Sequence, residues 1–297
     1  MLALWQANWV RSEIEKKNPS ILVELEIIKT KGDKILDVPL AKVGGKGLFV
    51  KEIEEALLNG KIDLAVHSMK DMPAEIPEGL CIAAVPEREN PRDALISCNG
   101  EGLSSLGAGA RIGTSSLRRA AQLLYARPEL EIVSLRGNLD TRLRKLEIEN
   151  MDGIILASAG IKRLSLESRI TEYLDPDIML PAAGQGALCL ESREGDSLTA
   201  ALINVLEHAA SRTAVMGERA FSRRLEGGCQ VPIAAYGTVK DRYLSLCGLV
   251  ADIDGKELIR ESLDGPAESA EDIGLELAER LLSKGAKRIL DSVKDRY

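Results

Sequence analysis

Arg111-Ile112-Gly113-Thr114-Ser115-Ser116-Leu117-Arg118-Arg119 joins a short apolar run directly to a helical pattern that continues to Ala126. A strand at Arg111–Gly113 followed at once by a helix at Leu117–Ala126 is one unit of an alternating α/β chain. Working outward, further strands are expected at Ala94–Ser97, Ile132–Leu135 and Gly153–Ala157, with helices at Thr141–Glu149 and Ile161–Leu166. Upstream, Ile21–Ile28 alternates as a strand, and Leu64–Val66 and Cys81–Val85 are shorter strand candidates. Phe49, Ile53 and Leu57 recur every four residues, so Gly47–Leu58 reads as an amphipathic helix. The charged stretch Pro86-Glu87-Arg88-Glu89-Asn90-Pro91 separates two similar α/β units as a linker. The pattern changes after Ala209. A helix over Arg212–Leu225 and a break at Gly227-Gly228 precede alternating runs at Ile233–Val239, Tyr243–Val250 and Glu257–Leu263. A final helix is expected from Ala270 to the C-terminus, which makes this a separate, smaller α+β unit.

Composition narrows the function classes. Of 297 residues, 45% are hydrophobic and 29% charged, a globular profile without disordered or fibrous bias. Aromatics at 3% argue against a stacking platform for single-stranded nucleic acid. With 39 Lys+Arg against 46 Asp+Glu, the net charge of −7 excludes a global basic footprint for DNA or anionic membrane. The charge is uneven, however. Between Arg111 and Arg163 ten basic residues face six acidic ones, a local +4 that leaves −11 for the rest of the chain. No run approaches the roughly 18 apolar residues of a membrane span. The opening Met1-Leu2-Ala3-Leu4-Trp5 lacks the basic region and cleavage site of a signal peptide. Five scattered cysteines without Cys-x-x-Cys spacing, and only His67 and His208, predict neither a disulfide scaffold nor a metal site, and fit a reducing cytoplasm.

Several segments could carry chemistry. Thr114, Ser116, Arg118 and Arg119 lie where a strand gives way to a helix, and free N–H groups and forked arginine donors there suit an anion. A capped helix with a solvated basic face fits the same residues equally well. Leu135-Arg136-Gly137-Asn138 with Arg142, and Ala159-Gly160-Ile161-Lys162-Arg163, repeat the coincidence at the next two strand ends. Ligands of open α/β sheets bind at the carboxyl ends of strands, so three such ends favour an anion site. The glycine-rich Lys42–Phe49 matches neither the Walker pattern nor the dinucleotide fingerprint, and reads as a mobile loop or a basic lid. In Val66-His67-Ser68-Met69-Lys70-Asp71-Met72-Pro73, Asp71 fits an acid/base or a cation-stabilising carboxylate, or simply a turn residue. Cys229, in Leu225-Glu226-Gly227-Gly228-Cys229-Gln230-Val231-Pro232, has small neighbours that leave a thiol open to a bulky partner, although an inert buried cysteine is the commoner case.

Together these segments resemble the porphobilinogen deaminase (hydroxymethylbilane synthase) family. The likeness rests on Leu2–Ala7, Lys42–Phe49, Val66–Pro73, Gly113–Arg119, Leu135–Arg142, Leu180–Ala187 and Leu225–Pro232, and covers nearly the whole chain. It implies three domains. Two α/β lobes of the type II periplasmic-binding-protein kind span residues 1–86 with 187–204, and 92–181, and a small α+β domain spans 209–297. It implies a transferase that deaminates four porphobilinogen molecules and joins them head to tail into hydroxymethylbilane. A dipyrromethane cofactor would be held by a thioether to Cys229, with Asp71 as the catalytic carboxylate and Lys70 beside it.

The resemblance further implies that Thr114, Ser116, Arg118, Arg119, Arg136 and Gly160 meet the cofactor, together with Lys70 and Asp71. Arg142, Arg163, Lys42, Lys46 and Phe49 would meet the substrate. No metal, nucleic acid or membrane is implied, and a monomer is. Family members carry a strand ahead of the Leu2–Ala7 segment, ending in an Arg and a Ser, where this chain has Met1; a chain lacking it is expected to load cofactor weakly or to lose stability. Two rival classes fit parts of the pattern: a non-catalytic two-lobed anion-binding protein and, drawing on the local +4, a nucleic-acid binder. Neither needs the motifs around Asp71 and Cys229.

Overall fold

The computed structural model describes residues 1–30, 50–225, 231–294 and 296 of the chain. Among these, three sheets divide the molecule. The first is antiparallel, with β8 (Leu188–Arg193) between β1 (Ala65–Ser68) and β2 (Leu80–Ala84). Helices α1 (Leu2–Lys17) and α2 (Lys51–Leu58) also belong to this unit, as does α6 (Ser197–Ile203). Val10 and Ile14 of α1 are buried in one apolar cluster with Ala84, Leu188, Leu190 and Ile203.

Residues 21–28 depart from the expectation of a strand, because their backbone joins no ladder among the described residues. The alternation is nevertheless real. Ile21 and Val23 pack against the α1 core, while Leu22 and Ile27 are 81% and 73% exposed. A two-residue period specifies which side chains face inward, whereas a ladder also needs a neighbouring strand to bond.

The second sheet has the order β5-β4-β6-β3-β7, over Glu131–Val133, Arg111–Gly113, Gly153–Ala157, Asp93–Ser97 and Glu172–Tyr173. β4 runs parallel to β5 and β6, and β3 pairs antiparallel with β6 and β7. Its central strands are buried on both faces: Leu95, Ile112 and Ile155 face one cluster, Ile96, Ile154 and Leu156 the other. That two-sided burial is why they read as unbroken apolar runs. Helices α3 (Leu117–Ala126), α4 (Leu139–Ile148) and α5 (Ser158–Arg163) follow β4, β5 and β6. The last begins three residues before the expected Ile161.

The third sheet is an antiparallel meander of β9 (Ile233–Lys240), β10 (Tyr243–Ala251) and β11 (Leu258–Pro266). Its core joins Phe221 of α7 (Ala209–Arg224) to Leu277 and Leu281 of α8 (Ala270–Ser283) and Ile289 of α9 (Ala286–Lys294). The single terminal helix expected from Ala270 is thus two, parted at Gly285, whose φ of +101° ends α8 as left-handed glycines do.

The chain crosses between the first two sheets twice, through residues 85–92 and 181–187, and α7 holds both crossings. Buried Glu218 pairs with Arg88 at 2.5 Å and accepts from the backbone N–H of Gly184 at 2.6 Å and of Gly237 at 2.7 Å. Arg88 Nε donates to the Gln185 carbonyl at 2.7 Å, tying one crossing to the other.

Candidate active site

β1 ends at Ser68 and passes into a single turn, Met69–Asp71. Met69 and Met72 are buried with Val85, Ala187, Cys189 and Val215, and the Met69 N–H donates to the Ala187 carbonyl at 3.0 Å. Anchoring the two methionines inward leaves Lys70 half-buried and Asp71 exposed. The Asp71 carboxylate accepts no hydrogen bond from the described residues. Gln6 of α1 steadies the strand end by donating to Ser68 Oγ at 2.9 Å.

Facing this turn are the strand ends of the second sheet. After β4, buried Thr114 accepts from the Ser116 N–H at 3.2 Å, and Ser116 begins α3 without using its hydroxyl as a cap. Arg118 and Arg119 are only 5% exposed each and converge on Asp93, which is fully buried at the start of β3. Arg118 Nη1 lies 2.8 Å from Asp93 Oδ2 and 2.7 Å from the Leu180 carbonyl. Arg119 lies 2.8 Å from Asp93 Oδ1 through Nη2 and donates from Nη1 to the Ile155 carbonyl at 3.0 Å. Burial alone would raise the Asp93 carboxyl, but the two guanidiniums outweigh it and hold it at about 2. The arginine pair therefore forms a braced wall rather than a solvated face. Arg118 keeps Nε and Nη2 unbonded among the described residues.

After β5, Asn138 caps α4 by accepting from the Thr141 N–H at 2.9 Å. Arg142 Nε donates to the Gly137 carbonyl at 2.8 Å. Burial first, and then repulsion from Arg119 and Arg136, push the Arg142 guanidinium down to about 10, with Asp71 opposing. Lys70 is likewise lowered, by burial foremost and further by Arg119 and Arg118, against the attraction of Asp71 and Asp93. Lys70, Asp71, Arg118, Arg119, Arg136 and Arg142 thus share one electrostatic neighbourhood across the gap between the two sheets.

Other expected site residues lie apart from that group. Arg163, after β6, donates through Nη2 to the Gly186 carbonyl at 2.7 Å and so grips a crossing. Gly160 packs near Leu2 and Leu139, where an added Cβ would stand 3.5 and 3.8 Å from their methyls. Cys229, Lys42, Lys46 and Phe49 lie outside the described residues. Sequence reasoning missed Asp93 and Glu218, single acids whose only signal was position, beside the linker and inside a helix. Among the described residues no cluster of three or more His, Cys, Asp or Glu is placed to hold a metal ion. Nor is any helix among them long and apolar enough to cross a membrane.

Comparison with known proteins gives this arrangement a family. Residues 1–201 match the model "Porphobilinogen deaminase, dipyromethane cofactor binding domain", and residues 212–283 match "Porphobilinogen deaminase, C-terminal domain". The chain is 62% identical to the porphobilinogen deaminase of Syntrophotalea carbinolica, over 97% of this chain and 92% of that one. It is 57% identical to that of Pelobacter propionicus, over 99% and 95% of the two chains. Among solved structures it is similar to a TRAP periplasmic solute binding protein from Desulfovibrio salexigens, with 11% identity, a TM-score of 0.42, and coverage of 100% of this chain and 76% of that one. Two domain models that together take in both the lobes and the meander, and relatives alike along almost their full length, place the chain in the porphobilinogen deaminase family.

Proposed function

We propose that the chain is a hydroxymethylbilane synthase, which deaminates four porphobilinogen molecules and joins them head to tail into the linear hydroxymethylbilane. The observation that carries this reading is the exposed Asp71 carboxylate set against a group of cations crowded together, with burial and mutual repulsion pushing Lys70 and Arg142 below their ordinary pKa values. Each substrate brings an acetate and a propionate, so such a wall gains what it lacks when the ligand arrives. Arg136 and Arg142, with the free edge of Arg118, would take carboxylates of cofactor and substrate, and Ser116 would add a hydroxyl donor. Arg119 spends its donors on Asp93 and Ile155 and so contributes its field and the fixed pose of Asp93. Thr114 shapes the loop, while Gly160 and Arg163 hold the backbone around it.

The donor set fits a dipyrromethane, which carries four carboxylates on two rings. Cys229 would hold that group, which would supply the free pyrrole end for chain growth. Loss of ammonia from porphobilinogen leaves a positively charged methylene-pyrrole, and Asp71 is placed to stabilise it and to accept a pyrrole N–H. The same carboxylate takes the ring proton given up when aromaticity returns. Lys70, whose ammonium burial makes a stronger acid, tunes Asp71 or touches the substrate. The family reading adds Lys42, Lys46 and Phe49 as residues that would contact the substrate.

The three sheets mark three domains in this reading: residues 1–86 with 187–204, residues 92–181, and residues 209–297, the first two being lobes of the type II periplasmic-binding-protein kind. The protein acts as a cytoplasmic monomer on a small molecule, with no nucleic-acid or membrane partner. Intact mass tests the assignment. Purified protein should be heavier than its sequence by two linked pyrroles, and Cys229→Ser should lose that increment. A bare mass for the unmodified sequence, with carboxylate binding retained, would favour the non-catalytic anion binder instead.

A further inference from the structure

α7 runs toward the segment that contains Cys229, yet its side also meets the turn that contains Asp71. Val215 is buried in the same cluster as Met69 and Met72, the residues that flank Lys70 and Asp71. One helical turn later, Arg219 Nη2 donates to the Pro73 carbonyl at 2.8 Å and to the Ala74 carbonyl at 3.1 Å. Among the described residues no carboxylate lies within ion-pair distance of Arg219, so its bonds go to the backbone just past Asp71. Beyond this contact the two surfaces part in a crevice lined by Ala74, Ile76, Ile82, Met216 and Arg223. The clamp therefore sits where α7 leaves the first lobe.

The Asp71 side chain has no hydrogen-bonded partner of its own among the described residues, so the backbone of its turn sets the point from which the carboxylate reaches the gap. On one flank the Met69 N–H is fixed to Ala187, and on the other Arg219 fixes Pro73 and Ala74. We propose that Arg219 is a positioning residue for Asp71, through which the helix leading to Cys229 also sets the pose of the reacting carboxylate. This rests on the reading of Asp71 given above.

The test uses loaded holoenzyme, confirmed by intact mass, with porphobilinogen consumption measured for Arg219→Gln, Arg219→Lys, Asp71→Asn and Arg223→Gln. Arg223 is a control from the same helix, exposed and 3.4 Å from Glu271. Arg219→Gln should lower kcat about tenfold with KM within about twofold, since small misplacements of a reacting group are costly. Arg219→Lys, which can still reach a carbonyl, should recover much of the rate, and Arg223→Gln should match the parent. Parental kcat in loaded Arg219→Gln, or a loss of rate equalled in Arg223→Gln, overturns the proposal while a stalled Asp71→Asn leaves the Asp71 reading standing. A near-normal Asp71→Asn overturns that reading, and with it any action of Arg219 through Asp71. Should Arg219→Gln fail to load or fold, Arg219→Met, which keeps the apolar stem and removes every donor, is compared with Arg223→Gln by the same criterion: a lowered kcat at unchanged KM supports the clamp, and a parental kcat refutes it.

Discussion

Asp93 holds two buried guanidiniums on one buried carboxylate, and Gln185 Nε2 adds a third donor at 3.0 Å. Removing its charge would leave Arg118 and Arg119 uncompensated inside the second lobe. Asp93→Asn is therefore expected to cost about 3–5 kcal/mol, measured by denaturant unfolding. The pH dependence has a definite sign. A carboxyl held at about 2 in the folded protein, below its usual 3.8, stabilises the fold above that ordinary value and ceases to do so as pH falls toward 2. Unfolding followed between pH 5 and pH 2 should show this loss in the parent and a much flatter profile in Asp93→Asn. The arginine pair also marks the limit of what the sequence discloses at this scale. Its place at a strand end was legible from residues 111–119, but its counter-ion is Asp93, some 25 residues upstream, which no local pattern connects to it. Asp71 and the cations around it were legible as residue types at strand ends, whereas their convergence needed the fold.

Among the elements, β4, β6 and α3 match the stretches read from the sequence, because each is a run with a single period closed by a glycine, a cap or a polar turn. β8 was not legible, for a physical reason. Its Leu188-Cys189-Leu190-Glu191-Ser192-Arg193 turns polar halfway, yet Glu191 and Ser192 are as buried as the leucines. Glu191 Oε2 meets His67 of β1 at 3.0 Å, and that partner, 124 residues away, is invisible to any local reading of an acid in the middle of a sheet. The segment leading into β8 carries a sharper constraint. Gly186 has φ +89°, and a Cβ there would collide with the Glu89 carbonyl of the other crossing. Gly186→Ala should therefore destabilise by more than about 1 kcal/mol, visible as a lowered Tm, and should disturb Arg163, which bonds the Gly186 carbonyl. An unchanged Tm would mean that the crossings are free to separate.

For the molecule as a whole, Glu218 is the point where all three sheets are tied. It is fully buried, bonds both crossings through Arg88 and Gly184, and reaches the first strand of the meander through Gly237. Glu218→Gln keeps the shape but removes the charge opposite Arg88, and should lower stability by about 3–5 kcal/mol, again read by unfolding. Loosening should also appear as faster amide exchange at residues 181–187 than at the core of β10; uniform exchange would place the linkage elsewhere. The overall division into two α/β units and a later α+β unit was legible from the change of pattern after Ala209. The return of residues 188–193 to the first sheet was not. That return has a consequence for synthesis on the ribosome. The central strand of the first lobe is translated after the whole of β3 to β7, so β1 and β2 emerge without the neighbour that must lie between them. The second lobe, contiguous in sequence, can close while the first still waits with open edges. The lobe begun first is finished second, and a nascent chain halted before Leu188 would hold a folded middle and an unfinished beginning.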